Sequence, residues 1–423
     1  MSVPQPETVD LFPYSVQVED GEAVIGRPET GVFFALPVEA LELIEGLAAG
    51  ESVSTVRDQF AERHGESPDM ADFLAHLHAH GLIRPVGAGG EGTAEIPQFR
   101  DQFGWIPKPL AQAFFSRPAW LLYLSTVLGA VAIVVAEPGL LPGWRAAYFP
   151  RDTALMLVGL MALGLLTTAF HELGHVLAAR AKGVATRFGI GNRLWFVVWE
   201  TDMTGVWALP RRQRFLPILA GPLVDLVSAS ALVIVLWTAE MGWLAPPDKG
   251  LQIGRALLLI YLLRLVWQAY FFVRTDYYYA ITNAFNCKNL MADTEAFLGE
   301  RWARLRGKNP PSSLGHLPAR EQRAVRTYSL IWLVGRGAAF GILFFIQLPL
   351  LFNYGRLAVG WAGGLSRGGA SAAIPATTWL PIVMFLLFFG AGMVMWLRPL
   401  IKSWLHAPSS RRRTDPVEPT RHP

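Results

Sequence analysis

The sequence has little cysteine and little charge, and each shortage excludes a class of protein. Its single cysteine, Cys287, rules out an intramolecular disulfide and a cysteine-rich metal site. Charged residues make up only 17% of the 423 residues and hydrophobic residues 52%, whereas about a quarter of a soluble domain is charged. The net charge of +4 is mild and no basic-aromatic array is present, so we expect no nucleic-acid partner.

The apolar residues are concentrated in six segments, each near the ~20 residues that cross a bilayer. They are residues 119–136, 154–181, 214–239, 253–274, 328–352 and 377–397. This distribution predicts a mainly α-helical, polytopic membrane helix bundle of about six spans. The first 30 residues are polar and acidic, so we expect no cleavable signal peptide.

Charge in the connections predicts the orientation of the spans. The connections at 182–214, 274–326 and 398–423 contain six, nine and six Lys and Arg residues. Those at 137–152, 240–252 and 353–376 contain two, one and two. Because cytoplasmic loops are enriched in Lys and Arg, we expect a multi-pass protein of the plasma or inner cell membrane with both termini in the cytoplasm.

The N-terminal part has the pattern of a small α+β domain. "YSVQVEDGEAVIG" alternates around an Asp-Gly turn, which predicts a β-hairpin, and "GVFFALP" predicts a third strand. Three helix-like stretches follow and end at Gly50, Gly65 and Gly81, with Ser67 as the expected N-cap of the third. We expect a cytoplasmic domain at 1–86, a linker and interfacial segment at 87–117, the membrane domain at 118–400 and a disordered basic tail at 401–423.

The second span contains "FHELGHVLAAR", where ionisable residues interrupt an apolar helix. His171 and His175 are four residues apart and share a helix face, and Glu172 is rotated by about 100° from His171. This is the HExxH pattern, in which two imidazoles bind zinc and the glutamate is the general base for a water activated by the metal. Ionisable groups inside spans are costly and usually functional. We therefore expect a Zn²⁺ site in each chain and no other cofactor.

A catalytic zinc needs a third protein ligand. Asp276, which directly follows the fourth span, is the leading candidate. The competing aspartates are Asp152, Asp202 and Asp225. His171 lies about 16 Å inside the membrane edge at 1.5 Å per residue. Asp276 can reach it only if the chain is broken near Val273 and continues at membrane depth, which is tolerated where it lines a wet cavity.

The third span adds candidates for shaping the site. Gly221 and Pro222 in "LAGPLVD" permit close packing against the HELGH span, or form an ordinary kink. With Asp225 they are the candidates for positioning a substrate. Arg264 either pairs with Asp225 or extends to the membrane surface. The connection after HELGH alternates weakly around "TDMTG", which is typical either of a hairpin that holds substrate or of a surface loop.

Three motifs within residues 154–290 resemble those of the site-2 protease family of intramembrane zinc metallopeptidases, and in particular its peptide zinc metalloprotease branch. They are "HELGH", "LAGPLVDLVSASALV" and the stretch from "DYYY" to "NL". The resemblance implies His171, His175 and Asp276 as zinc ligands and Glu172 as general base. Two positions differ, because the family's Asp-Gly is Asp276-Tyr277 here and its usual asparagine is Asp225.

The pattern of residues 11–85 resembles the PqqD-like fold, which binds leader peptides of ribosomally made, modified peptides. The match has no catalytic signature. It implies that the domain takes up an extended leader as an added edge strand. The alternative is a degenerate winged helix used for dimerisation or regulation.

The function that we expect is a zinc metalloendopeptidase that hydrolyses a precursor peptide within the membrane. Its partners would be a precursor peptide or a membrane-protein substrate and the lipid bilayer. One alternative keeps the enzyme and changes the substrate to a membrane-bound anti-sigma-like factor. The other is a non-catalytic membrane scaffold, immunity or export partner that has a zinc site. Substrate identity, cleaved bond, oligomeric state and substrate gate are not encoded in any motif.

Overall fold

The computed structural model describes residues 7–19, 21–83, 99–147, 153–287, 289–315, 317–349, 351–353, 355–356, 359 and 376–405. Within them the chain is mainly α-helical, with a three-stranded N-terminal sheet and a separate two-stranded sheet. Three predicted features lie outside the described residues: most of the linker (87–98), Asp152, and the tail beyond residue 405.

The N-terminal strands and helices match the predicted order. Strands β1 (Ser15–Glu19), β2 (Glu22–Arg27) and β3 (Val32–Pro37) form an antiparallel sheet in the order β1-β2-β3. Gly21 has a φ of 82° between β1 and β2, which suits the Asp-Gly turn. Helices α1 (Ala40–Ala48), α2 (Val53–His64) and α3 (Met70–Ala79) cover one face of the sheet and share a buried apolar core with it.

The expected cap of α3 is wrong by two residues. Asp69, not Ser67, is the N-cap, and its Oδ1 accepts hydrogen bonds from the backbone N–H groups of Ala71 and Asp72. An aspartate is as good a cap as a serine, and here it also places a negative charge at the positive end of the helix. The predicted stop is confirmed, since Gly81 follows the helix with a φ of 67°.

Among the described residues, five helices are long and apolar enough to cross a membrane. They are α5 (Arg117–Ala136), α6 (Thr153–Ala181), α7 (Arg211–Glu240), α8 (Asp248–Gln268) and α11 (Ala319–Ile342), the last running on through Leu343–Gln347. Large apolar side chains such as Leu121, Val135 and Leu333 are exposed on them, as lipid-facing residues would be. A sixth span is not confirmed, because the apolar described part of α12 (Ala376–Leu405) is the shorter stretch Leu386–Pro399.

The remaining elements are short or lie between the spans. Helix α4 (Lys108–Ala113) precedes α5, and 3-10 turns lie at Pro138–Leu140, Trp144–Ala147 and Thr204–Ala208. Helices α9 (Asp276–Phe285) and α10 (Leu290–Leu305) follow α8. Strands β4 (Arg187–Arg193) and β5 (Phe196–Asp202) form the hairpin after α6. The predicted centre, "TDMTG", is wrong, because the turn lies at residues 194–195.

The chain forms two compact units. The first comprises Met1–Gly189 and Trp199–Pro349, and the second comprises Ile190–Val198 and Leu350–Pro423. In the second unit, Trp195 packs edge-on against Trp396 of α12, with ring centroids 5.7 Å apart. The first unit contains every residue of the site described below.

Within the first unit, the N-terminal sheet is attached to the start of α7. Glu19 Oε1 accepts a hydrogen bond from the backbone N–H of Arg211 (2.6 Å), the first residue of α7. Glu19 Oε2 also pairs with the guanidinium of Arg214 (3.3 Å). A carboxylate at this place satisfies one of the N–H groups that a helix start leaves without an internal partner, so β1 supplies a cap for a helix of the membrane domain.

Candidate metal centre

Two histidines and an aspartate converge at one point inside the helix bundle. His171 and His175 are buried on one face of α6, and their Nε2 atoms are 3.2 Å apart. Asp276, the first residue of α9, places Oδ2 at 3.1 Å from His171 Nε2 and 3.5 Å from His175 Nε2. The three side chains could hold a metal ion.

The hydrogen bonds of the two rings fix which nitrogen faces the centre. His175 Nδ1 lies 2.7 Å from the backbone carbonyl of Pro217; because a carbonyl only accepts, Nδ1 carries the proton. His171 Nδ1 donates in the same way to Asp225 Oδ2 (2.8 Å). Both rings therefore turn Nε2 toward the centre, and in the neutral form of such a ring Nε2 is the nitrogen that can bind a metal. Metal-ligating histidines are held by such a bond on the other ring nitrogen.

The spacing and chemistry of the donors fit zinc. Ligands of a tetrahedral zinc at about 2.0–2.2 Å lie about 3.3–3.6 Å from one another. The three separations here are 3.1, 3.2 and 3.5 Å. Calcium and magnesium prefer oxygen-only sites, whereas imidazole suits zinc and its transition-metal neighbours. Three protein ligands leave the fourth position of a tetrahedron for water or substrate.

The chain breaks between α8 and α9, and the break brings Asp276 to the histidines. The fourth apolar helix ends at Gln268, six residues before the predicted end at 274, and an irregular segment runs to Thr275. Thr275 Oγ1 donates to the backbone carbonyl of Gln268 (2.8 Å) and accepts from the N–H of Tyr278 (3.3 Å). The break that the sequence required is therefore present, although it begins before Val273.

Gln268 holds Asp276 by two hydrogen bonds. Its Nε2 donates to Asp276 Oδ2 (2.8 Å), and its Oε1 accepts the backbone N–H of Asp276 (3.0 Å). The amide thus fixes both the carboxylate and the start of α9. Sequence reasoning missed this residue, although a glutamine inside an apolar run is a detectable signal.

Asp225 is placed behind His171 rather than at the centre. It is fully buried and, besides accepting from His171, it accepts from the Arg264 guanidinium (3.1 Å). Arg264 also donates to Thr167 Oγ1 and to the backbone carbonyl of Gly164. Of the two alternatives for Arg264, the pair with Asp225 is therefore the one present. The arginine supplies the compensating charge that a buried aspartate needs.

Gly221 lets α7 approach the two ligand rings. A Cβ at this position would lie 2.4 Å from His175 Nε2 and 2.5 Å from His171 Nε2. Gly174 of α6 has the same role toward α7, since its Cβ would lie 2.8 Å from the carbonyl of Ala220. Pro222 is buried one residue further along α7. The close packing expected from "LAGPLVD" is confirmed.

Glu172 is buried beside the ligands, and its carboxylate is held by the hairpin. Thr201 of β5 donates from Oγ1 to Glu172 Oε2 at 2.7 Å. This fixes one carboxylate oxygen and leaves the other available. No sequence signal singled out Thr201, because the contact joins two elements that are 29 residues apart.

The competing aspartate of the loop is engaged elsewhere. Asp202 pairs with Arg187 (2.8 Å) across the hairpin and accepts from Thr204. Asp152 lies outside the described residues. Among the described residues, the ligand group therefore consists of His171, His175 and Asp276.

Three comparisons with known proteins were negative. No protein-family model, no curated protein and no solved structure matches the chain.

Proposed function

We propose that this protein is an intramembrane zinc metallopeptidase that cleaves a precursor peptide delivered by its N-terminal domain. One observation carries the proposal. Two imidazoles that turn Nε2 inward and one carboxylate meet at ligand spacing, beside a buried glutamate, in an apolar helix. Buried ionisable groups of this kind in a span are hard to explain without a compensating cation.

The metal would supply the electrophile and an acidified water. Zinc polarises a carbonyl oxygen and lowers the pKa of water toward about 7. The ligand set fits zinc in donor type and spacing, and the HExxH pattern is the one in which zinc serves hydrolysis.

The protein's own groups would move the protons and hold the geometry. Glu172 would accept the proton of the attacking water and deliver it to the leaving nitrogen of the peptide. Thr201, through its hydrogen bond to Oε2, would keep this carboxylate in one rotamer. Asp225 would orient the His171 ring and increase its basicity, as carboxylate partners of metal-binding histidines do.

A peptide is the substrate class that the N-terminal domain supports. Its β3 is an edge strand of a small sheet, and an exposed edge can add an extended peptide as a further strand. The strongly apolar spans and the basic connections support a multi-pass location in the cell membrane with cytoplasmic termini. A precursor made in the cytoplasm would then meet the domain first.

Metal content is the first measurement. We expect about one zinc per chain in detergent-purified wild-type protein, and loss of the metal in His171→Ala and Asp276→Ala. Asp202→Ala is the matched control, because its carboxylate is engaged in the hairpin, and it should retain the metal. Zinc retained in Asp276→Ala would exclude Asp276 as a ligand. No zinc in any sample after reconstitution would overturn the protease proposal.

Cleavage is tested without knowledge of the substrate. Cells that express the wild type should accumulate new peptide termini in terminus-selective mass spectrometry, and cells that express Glu172→Gln should not. The glutamine keeps the shape of the side chain but cannot accept a proton. Equal zinc content in both proteins is the control. Identical termini in both strains would favour a non-catalytic role.

A further inference from the structure

The last turns of α10 present apolar side chains that no described residue covers. Trp302 is 58% exposed and Leu305 is 81% exposed. Leu298, which is half-buried, lies on the same face, because helix positions i, i+4 and i+7 fall within about 60° of one another. The three side chains form an apolar stripe at the end of the helix.

The same face of α10 is buried in the first half of the helix. Met291 lies seven residues before Leu298, which places it on the stripe, and it is 5% exposed. It packs in one cluster with Tyr278 of α9 and Val325 of α11. The packed face therefore continues past its partners and becomes exposed at Trp302 and Leu305.

The first half of α10 lies inside the membrane domain. The backbone N–H of Met291 donates to the hydroxyl of Tyr278 (3.1 Å), which is two residues from the metal-site residue Asp276. Glu295 pairs with Arg336 (3.5 Å), which belongs to the apolar helix α11. The helix therefore begins beside a span and near the depth of the metal centre.

The length of α10 brings its end to the membrane surface. Leu305 lies 14 residues after Met291, which is about 21 Å along the helix axis. The HELGH histidines lie about 16 Å inside the cytoplasmic edge by the count along α6. After α10 the chain continues to the first residue of α11, in the connection rich in Lys and Arg. The exposed stripe therefore falls at the cytoplasmic headgroup layer.

Positive charge borders the stripe on both sides. Four basic residues are exposed there: Arg301, Arg304, Arg306 and Lys308. Glu300 is the only acidic residue of 296–308; it is 8% exposed, accepts from the backbone N–H and hydroxyl of Ser313, and pairs with Arg304. Three positive charges thus remain in excess at the end of the helix.

This arrangement is the one expected of a helix in contact with an anionic membrane surface. An apolar stripe between basic side chains is typical of helices that lie in the interface, and tryptophan is enriched at that depth. The guanidinium of Arg306 lies 4.6 Å from the centroid of the Trp302 ring, so charge and ring face the same region. An acidic protein would match the charge, but the neighbour of a stripe that continues from a span is lipid.

We propose that the end of α10 binds the phosphate headgroup of an anionic lipid in the cytoplasmic leaflet. The apolar stripe contacts the upper part of the acyl chains, and Arg301 and Arg306 on its two sides contact the phosphate. The inference rests on the proposed membrane location and does not depend on zinc or on peptide cleavage. Because α10 also holds Tyr278 of α9, the bound lipid would anchor the helix that carries Asp276.

Fluorescence quenching in vesicles tests the contact with full-length protein. Cys287→Ala removes the native thiol, and Leu305→Cys carries an environment-sensitive dye. The vesicles always contain phosphatidylglycerol and phosphatidylcholine in one fixed ratio, and only the lipid that carries the nitroxide quencher changes. We expect quenching by labelled phosphatidylglycerol to be at least about fivefold stronger, as for one well-placed cation.

Two other dye positions are the controls. A dye at Leu121→Cys, an exposed apolar position of α5, should be quenched equally by both lipids. A dye at Glu62→Cys, an exposed position of α2 in the N-terminal domain, should be quenched by neither. These positions separate a selective headgroup contact from ordinary contact with lipid.

Charge variants test the part of the arginines. Arg301→Gln with Arg306→Gln should lower the ratio of the two quenching efficiencies at position 305 to about one. Arg301→Lys with Arg306→Lys keeps the charge and should keep the preference. Arg57→Gln with Arg63→Gln, both exposed on α2, removes the same charge elsewhere and should change nothing. A preference that survives the removal of Arg301 and Arg306 would overturn their role.

The outcomes separate this inference from the proposed function. Equal quenching by both lipids at position 305 would show immersion without selection and overturn the lipid site. No quenching at 305 with quenching at 121 would show that the stripe meets another partner, such as a second copy of the chain. No quenching at 121 would overturn the membrane location itself. Selective quenching at 305 supports the site even in a protein that binds no zinc and cleaves no peptide.

Discussion

Gly221 occupies a position at the metal centre where no side chain fits. A methyl group there would lie 2.4–2.5 Å from both ligand nitrogens. Gly→Ala in a helix otherwise stabilises by about 0.5–1 kcal/mol. We therefore expect Gly221→Ala to fold and to bind no zinc, as measured by metal analysis. Gly159→Ala in α6 is the matched control, because a Cβ there meets nothing within 4 Å. Normal zinc content in Gly221→Ala would contradict the described packing.

The carboxylate of Asp225 is expected to set the metal affinity through the His171 ring. Asp225→Asn keeps the shape but removes the charge that holds the His171 ring and balances Arg264. Loss of such an outer partner lowers metal affinity by about 10- to 100-fold. Chelator competition measures this directly. Asp248→Asn, at the start of α8, should leave the affinity unchanged, and an unchanged affinity in Asp225→Asn would show that the carboxylate does not tune the ligand.

Alkylation of the Cys287 thiol is expected to depend on pH. Burial, with a smaller contribution from Glu321, raises the pKa of the Cys287 thiol to about 11. Because the thiolate is the reactive form, a raised pKa means less thiolate at any pH below it. We expect iodoacetamide to leave folded protein unmodified at a pH of about 8 and to react as the pH approaches the raised pKa.

Denatured protein is the control for this experiment, since an exposed thiol has a pKa near 8.5. In SDS, Cys287 should be alkylated readily at the same pH, as followed by intact-mass measurement. Rapid alkylation of the folded protein would show that the thiol is accessible.

The residues of the site were predictable where a short sequence motif contains them. His171, Glu172 and His175 form one short motif, with the two histidines on one helix face, and this pattern alone points to the metal. Asp276 was the leading candidate because it directly follows the fourth span, and the family resemblance then implied it as the third ligand. Thr201 acts only through a contact formed by folding, so no pattern in the sequence singles it out.

At the scale of elements, the break between α8 and α9 decides where the third ligand lies. Residues 269–273 are apolar and continue the helical pattern in the sequence, so the fourth span was predicted to run to 274. The helix ends earlier because side chains of Gln268 and Thr275 replace its backbone hydrogen bonds. The hairpin β1–β2 was predictable, since an Asp-Gly turn fixes its position locally.

Gln268→Leu tests this break. The leucine removes both hydrogen bonds to Asp276, so the carboxylate and the start of α9 lose their support. We expect zinc affinity to fall by about tenfold, at the lower end for an outer partner, and therefore less than in Asp276→Ala. Gln213→Leu, at an exposed position of α7, is the control. Equal affinities in Gln268→Leu and the wild type would show that the amide does not hold the ligand.

At the scale of the whole molecule, composition predicted a membrane helix bundle, and the part of the chain that the structure describes contains five apolar helices of sufficient length. Composition did not predict that the N-terminal sheet caps α7 through Glu19. Such a contact depends on complementary surfaces of segments 192 residues apart. No hydropathy pattern or turn motif encodes it.

The separation of the ligands along the chain has a thermodynamic consequence. His171 and Asp276 are 105 residues apart, so an ion bound to both joins the ends of a long loop. Ligand binding to the native state alone stabilises it by about 4 kcal/mol when free ligand is 1,000 times Kd. We therefore expect chelation with 1,10-phenanthroline to lower the Tm of the wild type and to leave that of His171→Ala unchanged. An equal shift in both would mean that the chelator acts elsewhere.

Zinc bound to His171 and Asp276 would cross-link two segments that are far apart in the sequence. Loss of the metal would therefore lower the stability of the fold and abolish catalysis together.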